Sequence, residues 1–375
     1  MRKIQCIIKV TNGCNLRCKY CYNAGKHFKN EIISLDKMEK LFSVLAEFDC
    51  IQVIFHGGEP MLGGMEFYEK VLELEKHFTY TNGVEFENEI QTNATLINSR
   101  WLSFFKKNKI AVGISYDGIY NEEYRGGTDK VLKAIQLLKK QGIPFGSGAV
   151  IADPNYNLIE NYEHFKSLGM PVNFGYVAVE GSAKELGGVL DNDEYIKQSI
   201  ALFDHWLHDK EGISVRNNEF MVRKALKCDY EYCTNGSCVG NFFCLDVDGS
   251  LYGCSMESAK QFCFGNISEF SSFHDVINSA RFKEYVKGSI ARRKVCQSTC
   301  EYFDYCKGGC NDDAITNGDI TKPNKAYCKY FGTLFAHIKN TIDEIYKNKV
   351  DLSTLNPHFA KALMQTMVVD EKGSI

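Results

Sequence analysis

A chain of 375 residues with a 44% hydrophobic fraction has the length for two domains and a sizeable core. Its formal charge of −3 gives no basis for binding nucleic acid or anionic lipid. No run approaches the ~18 apolar residues of a membrane span, and the first residues lack the apolar stretch of a signal peptide. The sequence therefore reads as a cytoplasmic enzyme, and its sixteen cysteines as reduced thiols available to metals rather than disulfides.

In chain order, strand and helix patterns alternate. Residues 4–10 form a mostly apolar strand. Ser34 caps a helix reaching about residue 48, with Leu35, Met38, Leu41, Phe42 and Leu45 at helical spacing. Strands follow at 51–55, 84–90, 111–115, 145–151 and 172–179. Between them lie helices at 65–77, 98–107, 128–141 (capped by Thr128) and 158–168. Such alternation argues for parallel βαβ units, and six of them make an α/β fold with an open, partial (β/α)6 barrel over residues 1–190. Residues 191–225 read as a helical linker. Residues 226–345 form a cysteine-rich region with a β-hairpin and helices, and 346–375 a tail that frays after about Asp370.

The chemistry is expected on loops after strand C-termini. The first strand leads to Cys14-Asn15-Leu16-Arg17-Cys18-Lys19-Tyr20-Cys21, three thiolates on one loop. A structural zinc site wants four ligands, whereas soft thiolates suit an iron–sulfur cluster. Three ligands leave one iron open for chemistry. The second strand leads to His56-Gly57-Gly58-Glu59-Pro60, where two glycines permit close backbone approach to a ligand. Asn93 follows the third strand, Ser115 the fourth, and Arg125 offers a guanidinium fork suited to a carboxylate.

Eleven of the sixteen cysteines lie in the C-terminal half. Asp248-Gly249 is a hairpin turn signal that puts Cys254 on the returning strand. Cys296-x3-Cys300-x5-Cys306-x3-Cys310 and Cys328 follow. A pair of zinc ribbons is the alternative for such sets of four. Cys6, Cys50, Cys244 and Cys263 read as packing residues. Leu334, His337, Ile338, Ile342 and Ile345 read as the packed stripe of a late helix.

The x3, x2 spacing with Tyr20 before the last cysteine resembles the signature of radical S-adenosylmethionine enzymes. Gly57-Gly58-Glu59-Pro60 resembles the family's GGE-P element, and the C-terminal cysteines resemble its SPASM extension, with x3 in place of the usual x2 after Cys296. The resemblance spans about residues 4–335. It implies three [4Fe-4S] clusters and S-adenosylmethionine. Cys14, Cys18 and Cys21 would hold the open cluster. Cys238, Cys254 and Cys310 with Cys233 (or Cys228) would hold the first auxiliary cluster, and Cys296, Cys300, Cys306 and Cys328 the second. Tyr20, Gly57, Gly58, Glu59, Pro60, Asn93, Ser115 and Arg125 would line the cofactor.

The implied activity is radical oxidation of a peptide or protein side chain, with a thioether or carbon–carbon cross-link in a ribosomally made peptide placed first. Formylglycine formation, as in anaerobic sulfatase maturases, is the alternative. Those enzymes typically carry an aspartate directly after the hairpin cysteine, as base; here the residue is Ser255, a poor base at neutral pH. Glu257 could substitute if the strand continues. A small-molecule dehydrogenase and an electron-transfer protein stand further back. A flavodoxin- or ferredoxin-type reductant is implied. With the first ligand at Cys14, peptide recognition is expected from the barrel mouth, the cysteine-rich region or a separate leader-binding protein.

Overall fold

The computed structural model describes residues 1–23, 31–228, 238–256 and 258–370. One nine-stranded sheet organises the chain, in the order β6-β5-β4-β3-β2-β1-β7-β8-β9. The strands are β1 (Lys3–Thr11), β2 (Cys50–Gly57), β3 (Glu85–Thr92), β4 (Ala111–Ser115), β5 (Phe145–Ile151), β6 (Val172–Tyr176), β7 (Phe242–Leu245), β8 (Ser250–Tyr252) and β9 (Gly265–Asn266). The first six are mutually parallel neighbours, joined by helices, as the alternation predicts. The expected α/β partial barrel is therefore present.

The cysteine-rich region does not stand apart from this barrel. Its strand β7 pairs in parallel with β1, Ile8 opposite Leu245, and the hairpin strands β8 and β9 extend the same sheet antiparallel. β1 is consequently buried on both faces, as a parallel strand covered on each side must be. Ile4, Cys6, Ile8 and Val10 join the main core, while Ile7 packs on the opposite face with Cys244 and Tyr252.

Local chemistry sets the helices. Ser34 caps Leu35–Leu45 by accepting from the Lys37 N–H, and Met38, Leu41, Phe42 and Leu45 bury one face. Thr128 differs from expectation. It is the first residue of its helix, Gly127 holds the cap position at φ 73°, and the Glu122 carboxylate accepts from the Thr128 N–H. Residues 191–225 form two helices, Asn192–Leu207 and Arg216–Ala225, broken by a turn that closes from Gly212 N to Asp209 O.

Helix Lys325–Lys347 packs on both of them, burying Leu334, Ile338, Ile342 and Ile345. His337, grouped with that stripe by spacing, turns aside to Asp204 at 2.7 Å. The expected tail contains helix Pro357–Asp370, whose Phe359 and Leu363 are fully buried. Residues 371–375 lie outside the described residues. Cys6, Cys50 and Cys244 are buried, and Cys263 is partly buried against Ile7, Cys244 and Tyr252.

Candidate functional site

The cysteine loop hangs from the C-terminal end of β1 and is zipped to the loop after β2. Gly58 N–H donates to Thr11 O and Glu59 N–H to Gly13 O, both at 2.8 Å. A Cβ on Gly58 would stand 2.0 Å from Gly13 O, and one on Gly57 (φ +119°) 2.3 Å from Thr11 O. The two glycines thus permit backbone to meet backbone inside the protein. Glu59 is fully buried, and three donors converge on its carboxylate: Thr92 Oγ1 at 2.7 Å, Asn93 N at 2.9 Å and Met61 N at 3.0 Å. That arrangement suits an ionised carboxylate even though burial pushes its pKa up. Pro60 opens a single 3-10 turn, and its carbonyl accepts from the Tyr68 hydroxyl at 2.8 Å.

The other predicted residues face the same end of the sheet. Asn93 Nδ2 lies 3.9 Å from Cys14 Sγ and donates to Asn15 Oδ1 at 2.9 Å. Ser115 Oγ accepts from Gln91 Nε2 at 2.9 Å. Arg125 is engaged within the protein: its Nη1 donates to the Tyr20 hydroxyl at 2.6 Å, and that hydroxyl donates to Asp117 Oδ2 at 2.5 Å. This chain ties the last turn of the cysteine loop to β4 and β5, since Asp117 Oδ1 also accepts from Val150 N. Burial raises the thiols of Cys14, Cys18 and Cys21, the last to about 11, while the Arg125 charge pulls each of them down.

Leu16 N–H points at Cys14 Sγ at 3.4 Å. Three half-buried thiols, an N–H donor to sulfur and a nearby cation form a donor set that fits an anionic iron–sulfur cluster. A groove of about 630 Å³ opens beside Cys18, with Arg17, Lys19, Glu123 and Tyr124 on its walls.

Sequence reasoning missed the polar floor of the barrel lumen. Lys9 stands opposite His56 across β1 and β2, is 2% exposed, and pairs with buried Asp246 at 3.4 Å. Asp246 also accepts from Asn12 Nδ2 at 3.3 Å. The Lys9 ammonium lies 5.7 Å from the centre of the Tyr22 ring. Burial and the Lys9 charge hold His56 down at about 4, and its Nδ1 accepts from Gly57 N–H at 2.7 Å. The imidazole is therefore neutral with its proton on Nε2, a hydrogen-bond donor. Ser255, 9% exposed, lies beside the Tyr22 hydroxyl.

Beyond β8 the strand ends at Tyr252, so Cys254 and Ser255 sit past it rather than on it. The geometric condition for Glu257 to share Ser255's strand face does not hold, and Glu257 itself lies outside the described residues. A second carboxylate cluster lies close by. Glu180 accepts from Ser258 N and Thr316 Oγ1, and the Ser258 hydroxyl donates to Asp312, whose pKa burial pushes up to about 7. The segment after Glu180 touches the cysteine loop, Ser182 N–H donating to Cys21 O at 2.9 Å.

The remaining cysteines fall into two pockets. Cys238, Cys254 and Cys310 all lie near enough to the buried Tyr285 to act on its hydroxyl electrostatically. Cys306 feels the charges of Cys328, Cys296 and Cys300. Among the described residues no three such side chains gather round a single metal-ion position; Cys296, Cys306 and Cys328 lie on the helices Ala280–Thr299, Phe303–Cys306 and Lys325–Lys347, and Cys238, Cys254, Cys300 and Cys310 lie between elements. Cys228 follows the helix Arg216–Ala225, its N–H donating to Arg223 O, and Cys233 lies outside the described residues.

Residues 8–168 match the family model of the Radical SAM superfamily. The chain is 29% identical, over 90% of its length and 96% of the relative's, to the cysteine-type anaerobic sulfatase-maturating enzyme of Clostridium perfringens (strain 13 / Type A). It is 25% identical to the serine-type enzyme of Bacteroides thetaiotaomicron, over 89% of each chain. The solved structure of native anSMEcpe with bound AdoMet and Cp18Cys peptide superimposes with a TM-score of 0.79 at 26% identity, covering 93% of this chain and all of that one. Streptococcus suis SuiB bound to S-adenosylmethionine (TM-score 0.64, 15% identity, 88% of this chain and 77% of that one) shares the fold.

Proposed function

Starting from a chain that is a radical SAM enzyme homologous to the anaerobic sulfatase-maturating enzymes, we propose that it oxidises a cysteine or serine side chain within a peptide segment, using three [4Fe-4S] clusters. The observation that carries this reading is the whole-length match to a neighbour holding both AdoMet and a peptide. The sequence alone ranks peptide cross-linking first; relatives of cysteine and serine type along most of the chain support the formylglycine reading better.

When bound, the open cluster and S-adenosylmethionine supply one-electron cleavage to a 5'-deoxyadenosyl radical. The chain's own part is to hold and orient. Cys14, Cys18 and Cys21 would carry the open cluster, with Cys233, Cys238, Cys254 and Cys310, and Cys296, Cys300, Cys306 and Cys328, carrying the others. The backbone of Gly57–Pro60, together with Asn93, Ser115 and Arg125, would border the cofactor. The lumen floor would receive the substrate side chain: the Lys9–Asp246 pair is already satisfied, which leaves His56 Nε2–H to donate to the substrate. A flavodoxin- or ferredoxin-type protein would deliver electrons.

Ser255 favours cross-linking as a second reading, because a hydroxyl there cannot accept a proton at neutral pH. Mass spectrometry of a turned-over cysteine-containing peptide separates the two. Replacement of sulfur by oxygen is the expected result. Loss of two hydrogens with sulfur retained would reject it in favour of the cross-link.

A further inference from the structure

Arg292 lies on helix Ala280–Thr299, one turn before Cys296, and is 1% exposed. Its guanidinium donates from Nε to Gly308 O at 2.9 Å, from Nη1 to Ile320 O at 2.8 Å, and from Nη2 to Gly309 O at 3.5 Å and to Asn311 Oδ1. Every acceptor is neutral. Among the described residues no carboxylate is within ion-pair distance of it, although the partly buried Asp313 feels its field. A buried cation without an ionic partner is strongly disfavoured, so this position implies an anion.

The surrounding chain shows where that anion would be. Lys307, Gly308 and Gly309 take positive φ angles of 56°, 91° and 71°, winding the turn from Cys306 to Cys310 around the guanidinium. Gly309 and Asn311, both bonded to Arg292, flank Cys310. Cys310 belongs to the pocket of Cys238 and Cys254, whereas Cys296 and Cys306 belong to the other. One fixed positive charge therefore stands between the two thiol sets, held by carbonyls that leave its charge uncancelled.

We propose that Arg292 is the shared counter-charge of the two auxiliary iron–sulfur sites and raises the reduction potential of both, so that they accept electrons during substrate oxidation. This rests on the three-cluster reading above. Each electron adds a negative charge to a site that four thiolates already leave anionic, so a neighbouring cation stabilises the reduced form. Arg292 acts here as a positioning and electrostatic residue, with no contact to substrate required.

The test uses full-length protein reconstituted anaerobically on a Cys14→Ala, Cys18→Ala, Cys21→Ala background, so that only auxiliary sites remain. Iron content and potentiometric titration followed by paramagnetic resonance are the readouts. Arg292→Gln with full iron should show an at least tenfold less favourable one-electron reduction, 59 mV. Arg292→Lys, which keeps the charge and loses the fork, should stay within that limit. So should Arg293→Gln, on the neighbouring half-exposed cation. Unchanged potentials in Arg292→Gln would overturn the proposal. If that variant takes up no iron, Arg292→Lys decides: a tenfold loss with full iron overturns it, and a retained potential supports it. Iron for fewer than two clusters in the unaltered Arg292 background would instead reject the three-cluster reading on which it stands.

Discussion

Three donors end on the Glu59 carboxylate, which is 0% exposed: Thr92 and Asn93 at the end of β3, and Met61 in the turn that Glu59 opens. In Glu59→Gln the amide must turn its NH2 toward at least one N–H or O–H donor, leaving a buried polar clash. The expected loss is on the order of 1–3 kcal/mol, measured by denaturant unfolding of the metal-free protein. Because Asn93 is bonded through its backbone, S-adenosylmethionine affinity should fall as well. Unchanged stability and affinity together would show that the carboxylate is not the staple described. At this scale the cysteines were legible, because their chemistry is written in local spacing. The Lys9–Asp246 pair was not: its members lie 237 residues apart, and a lysine in an apolar run gives no sign of its partner. Arg292 and Glu180 were hidden for the same reason, each being defined by groups brought in from distant turns.

The loop after β2 is an element whose conformation is dictated by its neighbour. A methyl at Gly58 would meet backbone oxygen at 2.0 Å, and backbone cannot rotate aside as a side chain can. Gly58→Ala should therefore cost about 1–3 kcal/mol as overpacking and displace the Thr11–Gly13 segment that carries Cys14. Reduced iron uptake at the N-terminal site, with the auxiliary iron retained, is the expected readout; normal uptake would contradict the zipped arrangement. The six barrel strands were legible from alternating apolar runs and turn residues, and Ala111–Ser115 and Phe145–Ile151 match expectation to the residue. What escaped was contextual. Gly127 displaces Thr128 as cap because a left-handed residue fits the entering chain, and the hairpin strand stops before Cys254 because the chain turns there.

For the whole molecule, the proposed three four-iron units would give about 12 iron and about 12 sulfide per chain after anaerobic purification. Replacing Cys14, Cys18 and Cys21 together by alanine should leave about 8 iron and abolish cleavage of S-adenosylmethionine, because in the proposed assignment only this set would leave an iron open. Stoichiometric zinc, or cleavage that survives the triple replacement, would overturn the assignment. The barrel and the cysteine-rich region were each legible, but their union was not. Periodicity reports which face of a strand is buried and says nothing of which strand lies beside it, so the pairing of β1 with β7 had no local signature.

That pairing places a constraint on biosynthesis. β1 ends at Thr11, while its partner on the outer side begins only at Phe242, so the two strands leave the ribosome far apart in time. At roughly 5–20 residues per second, translation needs on the order of 10–50 s to supply it. Throughout that interval the nascent barrel carries an open strand edge, with the Cys14–Cys21 thiols suspended from its end. Such an edge invites pairing with other chains. The same interval leaves the loop that carries the N-terminal thiols on a strand still lacking its outer neighbour.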